Sequence, residues 1–163
     1  MGHDWFYYDS RTGYYGQDAQ LAQLRVQQRE SKMILRKATD EDREYFFTLR
    51  TDPTAALMSR RLMPTREQHI KWWASTSDLR YVAVFGEQRL GTVRVGKDGA
   101  VSIVIDPRKR GLGYGPAMLE ALVPLAKAEG YDTLLAEIAY ENVRSQRCFA
   151  KANWRPVLWE VHI

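Results

Sequence analysis

The sequence predicts an α/β domain built on a mixed sheet, and three observations carry that expectation. RYVAVFG (80–86), EQRLGTVRV (87–95) and AVSIVID (100–106) are short β-rich runs separated by the turn residues Gly86-Glu87 and Lys97-Asp98-Gly99, the pattern of an antiparallel meander. Helical periodicity flanks them, in DEDREYFFTLR, in REQHIKWW and in a longer stretch from about Gly113 to Glu129. The resulting order, β-α-α-β-β-β-α-β-α-β, holds no internal repeat and no low-complexity tract.

A length of 163 residues suits one such domain. The composition, 45% apolar and 27% charged, is that of a soluble globular chain, and no run approaches the ~18 uninterrupted apolar residues of a membrane span. The first residues show no charged segment leading into an apolar core, so no secretion signal is expected and a cytoplasmic location follows. A single cysteine, Cys148, excludes an intramolecular disulfide; His3, His69 and His162 are scattered without ligand spacing, so no metal is expected. The net charge of +4 resides beyond residue 32, because Arg11, Arg25, Arg29 and Lys32 balance Asp4, Asp9, Asp18 and Glu30. So mild a surplus, without a groove-reading helix motif, reads as a solvated face. No nucleic-acid or membrane partner is expected, and the chain is expected as a monomer or homodimer.

Taken in order, residues 1–16 mix glycine, polar residues and aromatics with neither strand nor helix period, and read as a loop-rich arm. Residues 17–31 carry Leu21, Leu24 and Val26 among strong helix formers, which predicts a short, weakly amphipathic helix. Residues 1–32 are thus an aromatic arm or flexible tail, and the folded domain is expected over 33–163. MILRKAT is the first strand. Asp40 is placed to cap the helix that follows, in which Tyr45, Phe46 and Leu49 recur at helical spacing. TDPTAALMSR reads as a turn and a short helix; Thr65 begins the next helix, with Glu67 near the capping-box position. After the meander, Met118, Leu119, Leu122 and Leu125 form the inward stripe of the long helix. TLLAEIA (133–139) reads as a strand, NVRSQRCFAKA as a helix and WRPVLWEVHI as a final extended segment.

Chemistry concentrates in SIVIDPRKRGLGYGPAMLEAL, a β run stopped by Pro107, then a basic glycine-rich turn, then a helix. Successive N–H groups at such a turn and at a helix start are unpaired and sit at the positive end of the helix dipole, which suits a diphosphate. Gly111, Gly113 and Gly115 let backbone approach a ligand or adopt φ > 0, and Pro116 is tolerated in a first turn. Glycine spacing alone also fits dinucleotide folds and P-loops, but no acidic residue ends a second parallel strand, and the Gly-Lys-Ser/Thr ending is missing.

Ile105-Asp106-Pro107 followed by Arg110-Gly111-Leu112-Gly113-Tyr114-Gly115 resembles the main signature of the GCN5-related N-acetyltransferase (GNAT) superfamily, Arg/Gln-x-x-Gly-x-Gly/Ala after a strand. A second signature of that family is similar to Asn142, Ser145, Phe149, Lys151 and Asn153-Trp154, and the likeness spans about residues 33–160. The resemblance implies a mostly antiparallel twisted sheet flanked by helices, and acetyl-CoA as cosubstrate. It also implies transfer of acetyl to an amine acceptor. On that basis the amides of Arg110, Gly111, Leu112, Gly113, Tyr114 and Gly115 would hold the pyrophosphate. The main chain at Ile103, Val104 and Ile105 would pair with the pantetheine arm, and an amide there would face the thioester oxygen; Asn142, Ser145 and Phe149 would complete the coenzyme site.

Acetyl transfer needs a neutral amine, a polarised carbonyl and a route for protons. Glu137 lies where related ribosomal-protein acetyltransferases place a glutamate base, although alternation through Leu135, Glu137 and Ala139 leaves its face open. Many relatives carry a tyrosine acid at the position of Phe149, which has no proton to give; either the thiolate leaves unaided, water or a neighbour such as Tyr140 substitutes, or turnover is slow. Cys148 as a covalent nucleophile is set against its reading as core filler, and direct transfer is expected. The run FFTLRTDPTAALMSRRLMPTREQHIKWW (46–73), with Arg50, Pro53 and the Glu67-x-His69-x-x-Trp72 segment, resembles the amino-sugar acetyltransferases of the pseudaminic-acid pathway, which implies a nucleotide-linked amino sugar as acceptor. Arg50, Met63, His69, Trp72 and Trp73 are the substrate candidates, the last four either a platform for the acceptor or core. Protein N-termini or lysines are alternative acceptors, and a catalytically weak CoA-binding interaction module is the alternative from another class.

Overall fold

The computed structural model describes residues 32–59 and 62–155. The arm and short helix expected over residues 1–31, and the final extended segment from 156 onward, lie outside the described residues. The chain divides into two compact units at Lys32/Met33, and the elements described here belong to the second.

Among the described residues four strands, β1 (Ile34–Lys37), β2 (Leu79–Phe85), β3 (Gln88–Val95) and β4 (Val101–Ile105), form an antiparallel sheet in the order β1-β2-β3-β4. The expected meander is the β2-β3-β4 part of it. Gly86, at φ +56°, makes the two-residue turn between Phe85 and Gln88, and Leu90 forms a one-residue bulge in β3. Helices α1 (Arg43–Arg50), α2 (Pro53–Ser59) and α3 (Arg66–Ser75) come between β1 and β2, and α4 (Tyr114–Ala128) and α5 (Val143–Lys151) follow β4.

Two apolar cores explain why β2 reads as a continuous run rather than an alternation. Tyr81 and Ala83, with Val93 and Val95, meet Met118, Leu119 and Leu122 of α4 and Phe149 of α5. Val82 and Val84 point the other way, onto Phe46 of α1 and Trp73 of α3. A strand buried on both faces has no reason to alternate. The inward stripe of α4 is as expected, Met118, Leu119 and Leu122 being fully buried and Leu125 partly so.

Two caps differ from expectation. Thr39, not Asp40, stands at the first helical start, where Asp42 accepts from the Thr39 N–H at 2.9 Å; Asp40 instead accepts from the Trp73 indole N–H at 2.8 Å. At α3 the box closes through Gln68 rather than Glu67, with Gln68 N–H donating to Thr65 Oγ1 at 3.2 Å and Thr65 N–H to Gln68 Oε1 at 2.9 Å. Both shifts are a register of one residue, which spacing to a reciprocal third position decides.

The stretch 133–139, expected as a strand, joins the sheet at one parallel bridge. Val101 N–H donates to Leu135 O at 2.7 Å and Leu135 N–H to Gly99 O at 3.0 Å. Beyond that bridge no ladder with β4 continues, so among the described residues the alternation is present without the pairing that defines a strand.

Candidate active site

Where β4 and residues 136–139 part, a cleft of about 600 Å³ opens. One wall is the edge of β4, and the other is Ala136, Glu137, Ile138 and Ala139. Arg50 and residues 54–56 of α2 close one side; Asn142, Ser145, Cys148 and Phe149 of α5 close another.

The β4 wall is chemically unfinished. Gly96 N–H bonds Ala100 O, and Asp106 N–H bonds Leu90 O, which sets the register so that residues 102 and 104 direct their peptide groups to β3. Residues 101, 103 and 105 therefore direct theirs into the opening. Val101 N–H finds Leu135 O, and Ile105 O accepts from Arg110 Nε at 3.3 Å. Among the described residues Ile103, with both its peptide groups, and the Ile105 N–H remain along the cleft as a short free edge, the template on which an extended ligand is added as a strand.

The glycine turn follows. Asp106 is buried and accepts from the backbone and guanidinium of Arg108, which fixes the bend after β4. Gly111 and Gly113 take φ +78° and +82°, and an added Cβ at either would meet nothing within 4 Å, so backbone conformation rather than space requires glycine there. Gly113 is the N-cap of α4 and has no side chain to cap with. The N–H groups of Tyr114 and Gly115 thus begin the helix unsatisfied from within it, and Pro116 at the third position has none to satisfy.

Gly115 has a different task from the one its spacing suggests. It is buried at ordinary helical φ, and a Cβ there would stand 2.5 Å from Cys148 Sγ. It is the contact at which α4 and α5 approach, so the third glycine of the turn serves helix packing. Cys148 is half-buried, and burial pushes its thiol pKa up, which keeps it protonated at neutral pH and argues against a nucleophile.

The second signature folds into a helix closed at both ends. Asn142 Oδ1 accepts from Ser145 N–H at 3.1 Å as the N-cap of α5. At the other end Asn153 takes φ +62°, Asn153 N–H bonds Ala150 O and Trp154 N–H bonds Phe149 O, both at 3.0 Å. That is a Schellman motif, with Asn in the left-handed position and the Phe149–Trp154 contact, centroids 5.0 Å apart, as its apolar seal.

Arg110, the first residue of the turn signature, reaches back to Asp52 at 2.7 Å, and that partner holds the Asp52 carboxyl below its ordinary range. Asp52 also accepts from Ala55 N–H at 2.9 Å, so one carboxylate caps α2 and ties it to the turn. Sequence spacing carries no sign of this link across 58 residues.

Glu137 is exposed on the cleft wall, because Leu134, Ala136 and Ile138 pack on the core and leave the odd positions outward. Of the expected substrate residues, only Arg50 lines the cleft. His69 and Trp73 are buried in the α1–α3 packing, Trp72 is half-buried beside them, and Met63 is half-exposed off the cleft. His69 and Trp73 are therefore core rather than platform, the His69 ring lying tilted among Phe47, Trp72 and Trp73, whereas Met63 is exposed. Tyr140 is 87% exposed and off the cleft wall.

An antiparallel sheet flanked by helices, opening beside its last strand, is the fold of the acyl-CoA-dependent N-acetyltransferases. The chain belongs to the acetyltransferase (GNAT) domain family, which matches residues 32–155. Among solved structures, a domain from Methanocaldococcus jannaschii superposes with a TM-score of 0.70 at 23% identity, over 78% of this chain and 90% of that one. The aminoglycoside acetyltransferase AAC(6')-Ib in complex with coenzyme A gives 0.65 at 19% identity, over 76% and 84%. A spermidine N-acetyltransferase from Vibrio cholerae, in complex with CoA and spermine, gives 0.64 at 14%, over 75% and 80%. These likenesses establish the fold. No curated protein matches the sequence. Among the described residues no helix is long and apolar enough to cross a membrane.

Proposed function

We propose that this chain transfers acetyl from acetyl-CoA directly to a primary amine, with a nucleotide-linked amino sugar as the acceptor. The observation that carries the reading is the free edge of β4 leading into the uncapped start of α4. A linear arm ending in a diphosphate needs strand-like pairing along the first and convergent N–H groups at the second. Acetyl-CoA would supply the activated acyl group as a thioester. Ile103 and Ile105 would bind its arm, with their N–H groups available to the acyl oxygen, and residues 110–115 would hold its phosphates. Asn142, Ser145 and Phe149 would form the remaining wall.

Glu137 would take the proton from the attacking amine, directly or through water. Its placement on the cleft wall supports that role. Replacing Glu137 by Gln is expected to lower kcat about 10²–10⁴-fold and to remove the acidic limb of the pH–rate profile. An unchanged profile removes Glu137 from the chemistry.

Phe149 favours a second reading. It seals the end of α5 and offers no proton, so a CoA-binding module with feeble turnover would look the same on this wall. Thiol release from acetyl-CoA, followed across nucleotide-linked amino sugars, peptide N-termini, lysine and polyamines, separates the two. Turnover of a nucleotide-linked amino sugar above the others bears out the enzyme reading, and coenzyme binding without turnover on any amine favours the module. Calorimetric titration with CoA that shows no heat on folded protein defeats both.

A further inference from the structure

On the face of the sheet turned away from α4 and α5, the cleft carries a polar pair. Val93, Val95, Val101 and Ile103 pack toward α4 and α5, so the alternate residues of β3 and β4, Arg94 and Ser102 among them, present their side chains on the opposite face. The two stand directly across the strands from each other, and both line the cleft. The coenzyme walls proposed above, from α5 and the glycine turn, belong to the α4 and α5 side, which leaves this face to the acceptor. Ala55, Leu62, Pro64 and Val104, which also line the cleft, have no side-chain hydrogen bond to offer.

Arg94 is held by a carboxylate. Its Nη1 donates to Asp78 Oδ2 at 3.0 Å, with the Arg94 side chain 25% exposed and that of Asp78 9%. Arg94 Nε and Nη2 and Ser102 Oγ make no hydrogen bond among the described residues and are not sealed in the core, so they stay open to a ligand. Arg80, which faces Arg94 from β2, is engaged elsewhere. Its guanidinium carbon lies 4.8 and 4.4 Å from the Trp72 and Trp73 centroids, and Nη2 donates to Thr76 O and Oγ1 at 2.8 and 2.6 Å.

Charge then decides what the pair can select. A guanidinium already met by a carboxylate still presents fixed N–H donors, whereas a second anion brought to it would also lie close to Asp78. A hydroxyl or carbonyl oxygen has no such conflict, because it accepts from Arg94 and, as a hydroxyl, exchanges a further hydrogen bond with Ser102. An acceptor that lacks the oxygen but excludes water from these donors leaves them unpaired, and that is the source of discrimination.

We infer that Arg94 and Ser102 are specificity-determining residues that recognise an uncharged oxygen, a hydroxyl or carbonyl, on the amine acceptor, and that Asp78 sets this choice by offsetting the charge of Arg94. The inference rests on the acetyl-transfer reading of the cleft and deepens it. An amino sugar carries such oxygens beside its amine, and a polyamine carries none.

The test uses the full chain saturated with CoA and reads amine affinity by calorimetry. Cyclohexylamine is the plain probe, trans-2- and trans-4-aminocyclohexanol add one hydroxyl, and trans-4-aminocyclohexanecarboxylate adds an anion. At least one aminocyclohexanol is expected to bind about tenfold more tightly than cyclohexylamine and more tightly than the carboxylate. Arg94→Lys keeps a cation for Asp78 but loses the planar fork, and is expected to reduce the hydroxyl preference to about twofold or less. Ser102→Ala is expected to lower it about threefold. Neither should move the affinity for CoA or for cyclohexylamine by more than about twofold, which a purely structural role would do. Asp78→Asn keeps the fork and removes the opposing charge, and is expected to raise the affinity of the carboxylate about tenfold relative to the hydroxyl probes. Thermal melts report whether each variant is folded, and Ser102→Ala decides the matter if the ion-pair variants are not.

Any of four results overturns the inference. They are a wild-type chain that binds none of the probes or binds all alike, a wild-type preference for the carboxylate over both aminocyclohexanols, a hydroxyl preference untouched by Arg94→Lys or by Ser102→Ala, and an unchanged carboxylate-to-hydroxyl ratio in folded Asp78→Asn. Failure of the acetyl-transfer reading is distinct, since it appears as an absence of CoA heat before any amine is added.

Discussion

Gly115→Ala isolates the contact that brings α4 and α5 together beside the cleft. The position has ordinary helical φ, so on backbone preference alone alanine would stabilise α4 by up to ~1 kcal/mol. Against that stands a Cβ placed 2.5 Å from Cys148 Sγ, well inside the 3.4–4 Å of ordinary contact. Cys148 has a single rotatable side-chain bond and is half-buried, so its sulfur has little room to yield. Overpacking of this kind costs about 1–3 kcal/mol, which against that gain leaves a net loss of about 0–2 kcal/mol. Cys148→Ala supplies the control, because without Sγ the nearest atoms to the new methyl are Cys148 Cβ at 3.9 Å and Ile105 Cδ1 at 4.0 Å. The double variant should therefore recover, with a favourable coupling of at least ~1 kcal/mol in a double-mutant cycle. Urea unfolding of the four proteins measures it, with melting temperatures moving roughly 3–5 °C per kcal/mol. Additive effects of the two substitutions would refute the proposed contact and with it the packing role of Gly115.

Two further outcomes follow from the same geometry. Arg36 donates two hydrogen bonds, at 2.7 and 2.8 Å, to the buried Asp42 carboxylate and holds it below its ordinary range. A depressed folded-state pKa gives stability that is present above the unfolded value near pH 4 and is lost as pH falls through the folded one. Asp42→Asn should therefore cost about 2 kcal/mol at pH 7, Arg36 being partly exposed, and should flatten the acid limb of a stability–pH curve below about pH 4. An equal acid limb in the variant would assign that limb to other carboxylates. At the end of α5, Asn153→Ala should lower stability by about 1–2 kcal/mol because φ +62° disfavours a Cβ, whereas Asn153→Gly should be neutral or slightly stabilising in urea midpoints. Equal effects of alanine and glycine would show that the left-handed turn is not maintained.

What could be read from the residues is what local chemistry decides. The meander was legible because Gly86-Glu87 and Lys97-Asp98-Gly99 break three β-rich runs, and the start of α4 because Gly113 and Pro116 fit a first turn and little else. What was not legible depends on partners distant in sequence. Gly115 looks like one more ligand-facing glycine until Cys148 is placed against it, and Asp52 looks like a plain helix cap until Arg110 arrives from 58 residues away. His69, Trp72 and Trp73 share a helix with no strong apolar stripe, so the sequence cannot say that the first points into the core and meets Arg50 there. Among the described residues the run 133–139 has strand alternation without a strand ladder, because pairing belongs to the neighbour and β4 leaves after one bridge.

Phe149 shows how the two kinds of information combine. By sequence it is the site of a missing proton donor, a loss. In the structure it is the third-from-last helical residue of α5, its carbonyl accepts from Trp154 N–H, and its ring seals the same turn against Trp154. A Schellman closure asks for an apolar side chain there and is indifferent to a hydroxyl at its tip. The hydroxyl and the ring therefore answer to separate demands, chemistry for one and folding for the other. An aromatic can be kept by the second after the first is met elsewhere, which is why Phe149 weakens the argument for acid catalysis at this position without weakening the fold.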